Sequence, residues 1–434
     1  MFKPTGVQGK VEVGQQSVIC TGCGCLCDDL DVAMAGGQLL EVSNVCLWGL
    51  SRFFPYKRFH PKKERRRILE PLGRLNGRLQ GISYGAALEH AAEILGKARR
   101  PLIYGLTNTG SWAQEAALQL ARNLKARLEP ADLAFKAPYY HSVRKHGLYW
   151  APLEVIRDEA DTVLFWGANP LHSCPRHLVR YSVFARGRFT ERGVEDRQVA
   201  AVDLYRTEVA KFCHLFVQVD PGQELHLLKG IREHLQGSPG PGPAVKGTRR
   251  LAGFLSKAEF GVIFFGRGAV YNQGLAVLDE LGSLAAHLGE KQPFVLFPLA
   301  SDFNSGGLYH LLFNELGVPE APDFGHEGGL LTSAAPGDFD EVDAILVVGA
   351  DLFWFLPEDQ GRALQDRQVP VVSLSPFANR TTSCSQVVFP VALVGLEAAE
   401  VAYRMDGLPM VLKKLLPTAW PSDREILLDL MKAV

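Results

Sequence analysis

Apolar positions repeat along this chain in two alternating rhythms. From Tyr84, the run YGAALEHAAEILGKARR sets Ala87, Leu88, Ala91, Ile94 and Leu95 on one helical face, and PLIYGLTNTG follows as a short buried strand ending in a glycine loop. The same change of rhythm returns downstream. DTVLFWGANP at 161–170, RQVAAVDLYRT at 197–207, GVIFFGRGAV at 261–270, AILVVGADLF at 344–353 and VPVVSLSPFAN at 369–379 are apolar runs, mostly β-branched or aromatic, that stop at Gly, Asp or Ser. Helix-like segments such as QEAALQLARNLKARL and NQGLAVLDELGSLAAHL lie among them. Strands apolar on both faces, alternating with helices, predict parallel sheets covered on both sides, with ligand loops at the strands' carboxyl ends. The main body is therefore α/β. Its repeated strand and glycine-loop units point to Rossmann-like domains, and the lack of a fixed short period excludes a solenoid.

The first 55 residues follow a different pattern. VEVGQQSVIC and LDVAMAGGQLLEVSN alternate apolar and polar residues about Gly36-Gly37, which predicts a hairpin beside a cysteine knuckle. The Pro- and Gly-rich GSPGPGPAVKG at 237–247 supports neither helix nor strand and reads as a linker or surface loop. The expected division is a Cys-rich module at 1–55, a first α/β region at 56–236 and a second at 248–434.

Composition narrows the function. The 434 residues include 47% hydrophobic and 21% charged side chains, as in an ordinary folded protein of several subdomains. Lys plus Arg (46) nearly cancels Asp plus Glu (47), so no long-range field draws nucleic acid. No apolar run reaches the roughly 18 residues of a membrane span, and none of signal-peptide length opens the chain, so a cytoplasmic protein is expected. There, structural disulfides are rare and clustered cysteines serve metals or redox chemistry. Of eight cysteines, Cys20, Cys23, Cys25, Cys27 and Cys46 fall together, while Cys174, Cys213 and Cys384 are scattered and read as packing residues.

With Cys25 set aside, Cys20, Cys23, Cys27 and Cys46 are spaced C-x2-C-x3-C-x18-C. Four thiolates suit a 4Fe–4S cluster or a tetrahedral zinc ion, and an empty structural knuckle is the third reading. Three close cysteines and one distant one favour the cluster, because zinc ribbons usually supply two C-x2-C pairs. Gly22 and Gly24 let the backbone curl and aim amides at the sulfurs.

CTGCGCLCDDLDV with NVCLWGLSRFF, then LFWGANPLHSCPRHLVRYSVFARGRFTERG, VVSLSPF and GLEAAEVAYRMDGLPM, resembles the B-type subunit of formylmethanofuran dehydrogenase, a branch of the molybdopterin oxidoreductases. The stretch carrying His172, Pro175, Arg176, His177, Arg180, Tyr181 and Arg186 makes the resemblance specific. It implies a 4Fe–4S cluster on the four cysteines and, behind it, α/β domains holding a bis-pterin tungsten or molybdenum centre that reduces carbon dioxide to formate. It also implies a metal-ligating Cys followed by His where this chain has Phe135-Lys136, and an arginine where it has Ala300. Phenylalanine offers no lone pair, and a missing buried cation removes the group that orients a small anion. The loops expected near pterin phosphates carry Asn169, Arg176, Arg180, Asp203, Gly266 and Gly268.

These departures make the chain most similar to the B-type subunit of the bacterial formyltransferase/hydrolase complex. That likeness implies a non-redox subunit without tungsten or molybdenum, in tetrahydromethanopterin-linked formaldehyde oxidation, alongside formyltransferase, amidohydrolase-type hydrolase and further subunits. The alternatives are an active dehydrogenase subunit using another ligand, for which Lys136, His141 and Cys174 are the candidates, and an unrelated zinc-knuckle protein. No P-loop, convincing G-x-G-x-x-G, H-E-x-x-H or G-x-S-x-G occurs. The basic, aromatic YYHSVRKHG at 139–147 reads as a surface or interface segment. An SDRE capping box before Ile426, Leu427, Leu430 and Met431 predicts a terminal amphipathic helix packed on its own domain.

Overall fold

The computed structural model describes residues 16–35, 38–53, 67–238, 245–270, 274–299, 301–325 and 339–434. The expected Gly36-Gly37 turn and Ala300 lie outside them. Strands β1 (Gln16–Val18), β2 (Leu30–Ala35) and β3 (Gln38–Ser43) form an antiparallel sheet, and the helix Leu47–Phe53 follows Cys46. Their alternation buries Val18, Leu30, Val32, Leu39 and Val42 on one face.

Next come β4 (Leu72–Leu75), β5 (Arg78–Gly81), β6 (Pro101–Gly105) and β7 (Arg127–Pro130), then β8 (Thr162–Trp166), β9 (Gln198–Asp203), β10 (Leu215–Gln218), β11 (Gly261–Phe265) and β12 (Phe294–Pro298), and finally β13 (Ala344–Val348), β14 (Val371–Leu374), β15 (Val387–Phe389), β16 (Glu400–Tyr403) and β17 (Pro409–Leu412). Two sheets dominate. One runs β5-β4-β15-β14-β13-β6-β7, parallel from β15 to β7; the other, β10-β9-β8-β11-β12, is parallel throughout. Every residue of β6, β8, β11, β12 and β13 is buried, because helices cover both faces.

Each sheet has a point where strand order reverses, between β6 and β13 in one and between β8 and β11 in the other. Crevices at such points bind ligands in open α/β sheets. Glycine is required at both. Gly105 has φ +107° and a Cβ there would collide with the Val348 carbonyl oxygen; Gly167 has φ +53° and a Cβ there would collide with the Ala269 nitrogen.

The 237–247 segment does not separate the two sheets. It joins the helices Glu224–Leu235 and Thr248–Leu255, which pack together, and the five-stranded sheet takes strands from both sides of it. Residues 239–244 lie outside the described ones. Pro and Gly content marks a loop, but sheet membership is decided by strand pairing across the chain.

The knuckle module is built into this body. Val18, Leu30, Val32, Leu39 and Phe53 share one core with Val163, Phe165, Phe264 and Phe297 of the five-stranded sheet. Arg404 secures the junction: it donates to Asp406 at 2.8 and 2.6 Å and to Glu154 at 2.6 and 2.5 Å. Asp406 Oδ2 also accepts the Leu153 amide, and the Met405 amide donates to the Gly24 carbonyl. The C-terminal helix Asp423–Ala433 is capped reciprocally by Ser422 and Glu425, and Ile426, Leu427 and Leu430 are buried on its side facing the helix Ser111–Leu124.

The Arg404 and Asp406 side chains are only 2% and 0% exposed, so Arg404→Ala strands a buried carboxylate. The expected loss is about 3–5 kcal/mol, read as a shift of the urea midpoint in anoxic equilibrium unfolding.

Candidate functional site

The knuckle closes on itself before it meets the rest of the protein. The Cys20 amide donates to the Cys27 carbonyl at 2.9 Å, the Leu26 amide to the Cys23 carbonyl, and Leu26 takes φ +39° to complete the curl. Gly22 presses on the helix Leu47–Phe53, where a Cβ would meet the Gly49 nitrogen at 2.8 Å, and its amide donates to Cys20 Sγ at 3.3 Å. Cys20, Cys23, Cys27 and Cys46 line one small pocket with Leu26, Leu30, Val45 and Arg176. The expected set is therefore brought together, Cys46 half-buried and the other three buried. Burial pushes the Cys27 thiol up to about 11 and that of Cys20 higher still, so these two hold their protons when free, whereas hydrogen bonds with Cys174 and Cys25 pull Cys23 well below the usual thiol value.

Sulfur spacing discriminates between ligands. A tetrahedral zinc site with bonds of roughly 2.3 Å sets its sulfurs roughly 3.8 Å apart. Among the described residues, no three of these four sulfurs lie within 4.8 Å of one another. A larger group suits them better, and soft thiolates at its corners fit a 4Fe–4S cluster. The group that does meet that spacing is different: Cys23, Cys25 and Cys174, all buried. Cys174 packs in the core as expected, and its sulfur also lies beside two knuckle thiols. It arrives on the loop after β8, where nothing in its isolated sequence position marked it.

That loop also clamps the knuckle. Arg176 makes a two-pronged contact with Asp29 at 2.5 Å on each arm, and Arg180 bonds Asp29 and Asp28 at 2.7 Å. Against the burial that would raise it, bonding to Arg176 holds the Asp29 carboxyl below its usual value. Both guanidiniums expected near phosphate are engaged within the chain. Asn169 donates to Glu208 at 2.9 Å and keeps a buried Oδ1 without a partner; Asp203 Oδ1 accepts the Leu204 amide. Gly266 and Gly268 pack on the Gly167 backbone, where a Cβ on either would meet the Gly167 oxygen at 2.5 or 2.7 Å. These residues do gather at the β8 and β11 switch point. A further cleft of about 240 Å³ occupies the other switch point, lined by Thr21, Arg52, Asn108, Gly349, Asp351 and Ser375 among others. The glycine endings of β6 and β13 were its signal in the sequence.

Phe135 and Lys136 lie in the helix Leu133–His146. The Phe135 ring packs 5.3 Å from Phe265, which also meets Tyr139 at 5.4 Å, and Phe135 is 4% exposed within an apolar core. Its side chain offers no donor atom. Lys136 is buried in an acidic pocket with Asp132 and Asp302; Asp132 accepts from Ser305, and Asp302 accepts from Thr107 at 2.9 Å and faces Arg267 at 3.8 Å. Burial pushes Lys136 down to about 8, opposed by those carboxylates, and burial together with Asp302 pushes Asp132 up. A thiolate-held tungsten or molybdenum does not fit these two side chains. His141 is turned to Glu320 at 3.1 Å, and Lys145 and His146 both bind Asp279, so the basic 139–147 segment is largely paired internally.

The parallel sheets, their glycine-lined switch points and the four-cysteine knuckle define an α/β protein of the molybdopterin oxidoreductase type. Acetylene hydratase from Pelobacter acetylenicus has the same fold over 96% of this chain and 69% of its own, with a TM-score of 0.66 at 14% identity. A chain of the formyltransferase/hydrolase complex FhcABCD from Methylorubrum extorquens, solved with methylofuran, matches 83% of this chain and 98% of its own, with a TM-score of 0.65 at 20% identity. No family model matches the sequence. The B-type subunit of tungsten-containing formylmethanofuran dehydrogenase 2 from Methanocaldococcus jannaschii is 31% identical and that from Methanococcus maripaludis 30%, each over 96% of this chain and 98% of the relative. The chain belongs to this formylmethanofuran dehydrogenase family of B-type subunits.

The depressed Lys136 value fixes a sign. Between about pH 8 and the usual lysine value near 10.4, the unfolded chain holds a proton that the folded chain has released, so this group makes stability rise with pH across that window. Urea midpoints measured from pH 7 to pH 10.5 are expected to rise in the wild type relative to Lys136→Met; parallel curves would refute the assignment.

Proposed function

We propose that this chain is the non-redox B-type subunit of a formyltransferase/hydrolase assembly in tetrahydromethanopterin-linked one-carbon metabolism. In this reading it is a cytoplasmic scaffold. Separate formyltransferase and amidohydrolase-type hydrolase subunits, with a further subunit, carry the transfer of a formyl group and its hydrolysis to formate. The family relatives are named for tungsten, and family membership makes the position at Phe135 and Lys136 the informative one.

The single observation that carries the reading is the packing of Phe135 against Phe265 beside a buried Lys136 flanked by Asp132 and Asp302. An aromatic ring in an apolar core and an ammonium group among carboxylates occupy the place of the implied metal ligand. Re-creating a ligand by Phe135→Cys would cost about 3–5 kcal/mol of packing, the range for deleting most of a buried aromatic ring. A 4Fe–4S cluster in the four-cysteine pocket remains part of the reading, and its work in a non-redox chain is structural, since metal binding at such sites is folding energy.

The second reading, an active tungsten or molybdenum subunit interconverting carbon dioxide and formate, draws on the preserved pocket of Cys20, Cys23, Cys27 and Cys46. It needs a ligand other than residue 135, and Lys136 and Cys174 are the groups within electrostatic reach of one another there.

Elemental analysis of the anoxically purified native complex separates the readings. Iron without stoichiometric molybdenum or tungsten, together with no formate-dependent dye reduction, is the expected result. Stoichiometric tungsten or molybdenum accompanied by dye reduction would overturn the non-redox assignment.

A further inference from the structure

Two of the buried thiols have no place in the four-cysteine pocket. Neither Cys25 nor Cys174 lines it, yet both are 0% exposed. Their sulfurs and that of Cys23 lie mutually within 4.8 Å. Tetrahedral zinc thiolates need sulfurs roughly 3.8 Å apart, so an ion draws these three inward by small side-chain shifts. Among the described residues, the sulfurs of Cys20, Cys27 and Cys46 do not meet that spacing.

A buried histidine follows on the same loop. His177, on the short helix that begins three residues after Cys174, is 0% exposed, and its amide donates to the Cys174 carbonyl at 2.8 Å. Its Nδ1 is bonded to Ser182 Oγ at 3.1 Å, its ring lies within electrostatic reach of Cys23, and its Nε2 has no hydrogen-bond partner.

We propose that Cys23, Cys25 and Cys174 form a soft-metal site for a zinc-type ion that shares Cys23 with the four-cysteine pocket. A chain then holds an ion here or a cluster there, and not both. The exclusion rests on the cluster reading given above; the ion site does not. Binding is an exchange without redox change: the ion enters and the thiols that still hold protons release them to solvent.

The test uses the full chain, purified anoxically and stripped with a chelator, titrated first with Co2+ and then with Zn2+. The wild type is expected to take up a single Co2+ with a strong thiolate charge-transfer band that Zn2+ bleaches. Cys174→Ser and Cys25→Ser are expected to weaken Zn2+ binding by more than about 100-fold, the upper range for loss of even an outer partner, whereas Cys46→Ser retains it. Iron and sulfide reconstitution of the wild type is expected to abolish the cobalt band in proportion to cluster formed. Zinc binding that survives Cys174→Ser and is lost in Cys46→Ser overturns the site, as does a wild type that binds no ion; a cobalt band that persists beside a full cluster overturns the exclusion alone. Should the serine variants fail to fold, zinc-edge anomalous scattering from wild-type crystals decides. A peak among Cys23, Cys25 and Cys174 supports the site, and one among Cys20, Cys27 and Cys46 overturns it.

Discussion

A buried ion pair sets the frame on which the rest of this molecule depends. Arg404 and Asp406 have almost no contact with solvent, and two charges so placed are tolerable only when every remaining donor and acceptor is met. Meeting them requires the entry to the five-stranded sheet, through Glu154 and the Leu153 amide, and the Trp150 indole that donates to the Asp406 carbonyl. The neighbouring Met405 amide is bonded to Gly24 inside the knuckle. One residue cluster therefore gathers the β16–β17 hairpin, the body and the cysteine module. The clamp of Arg176 and Arg180 on Asp28 and Asp29 is more exposed and contributes less on its own, but its two-pronged geometry settles how the knuckle is turned.

From that frame the chemistry at the implied metal position follows. In the non-redox reading proposed above, a fold without a buried bis-pterin metal centre must refill the space and rebalance the field. Phe135 fills: its ring joins Phe265 and Tyr139 in an aromatic group whose pairs each contribute about 0.5–1.5 kcal/mol beyond area burial. Lys136 balances: with Arg267 it supplies the positive charge that offsets Asp132 and Asp302.

How much of this was legible in the sequence differs by kind of interaction. The runs ending at Gly105, Gly167, Gly266 and Gly349 are strands where the apolar rhythm put them, because strands buried on both faces must be apolar throughout. The helix Tyr84–Lys97 and the capped Asp423–Ala433 follow the same local rules. The edge pair β4–β5 and the β16–β17 hairpin escaped, being four-residue strands that carry little burial signal. Sheet order escaped as well. The five-stranded sheet is inserted between strands of the seven-stranded one, a fact of long-range pairing that composition at 237–247 has no means to express.

The cysteines show where a one-dimensional reading stops. Spacing identified Cys20, Cys23, Cys27 and Cys46 as one set, since close thiols on a curled backbone must share a small volume. It set Cys25 aside because that residue breaks the pattern, and it dismissed Cys174 because nothing adjoins it in the chain. Backbone curvature then brings these two residues together. With Leu26 in a left-handed turn and the Cys20 amide tied to Cys27, Cys25 is held out of the pocket lining and meets the loop after β8. That loop is brought there by Arg176 and Arg180, so the salt bridges and the thiol group have a common cause. Sulfur separation, which decides between a cluster and a single ion, is thus a consequence of how the module is docked and is invisible in residue spacing.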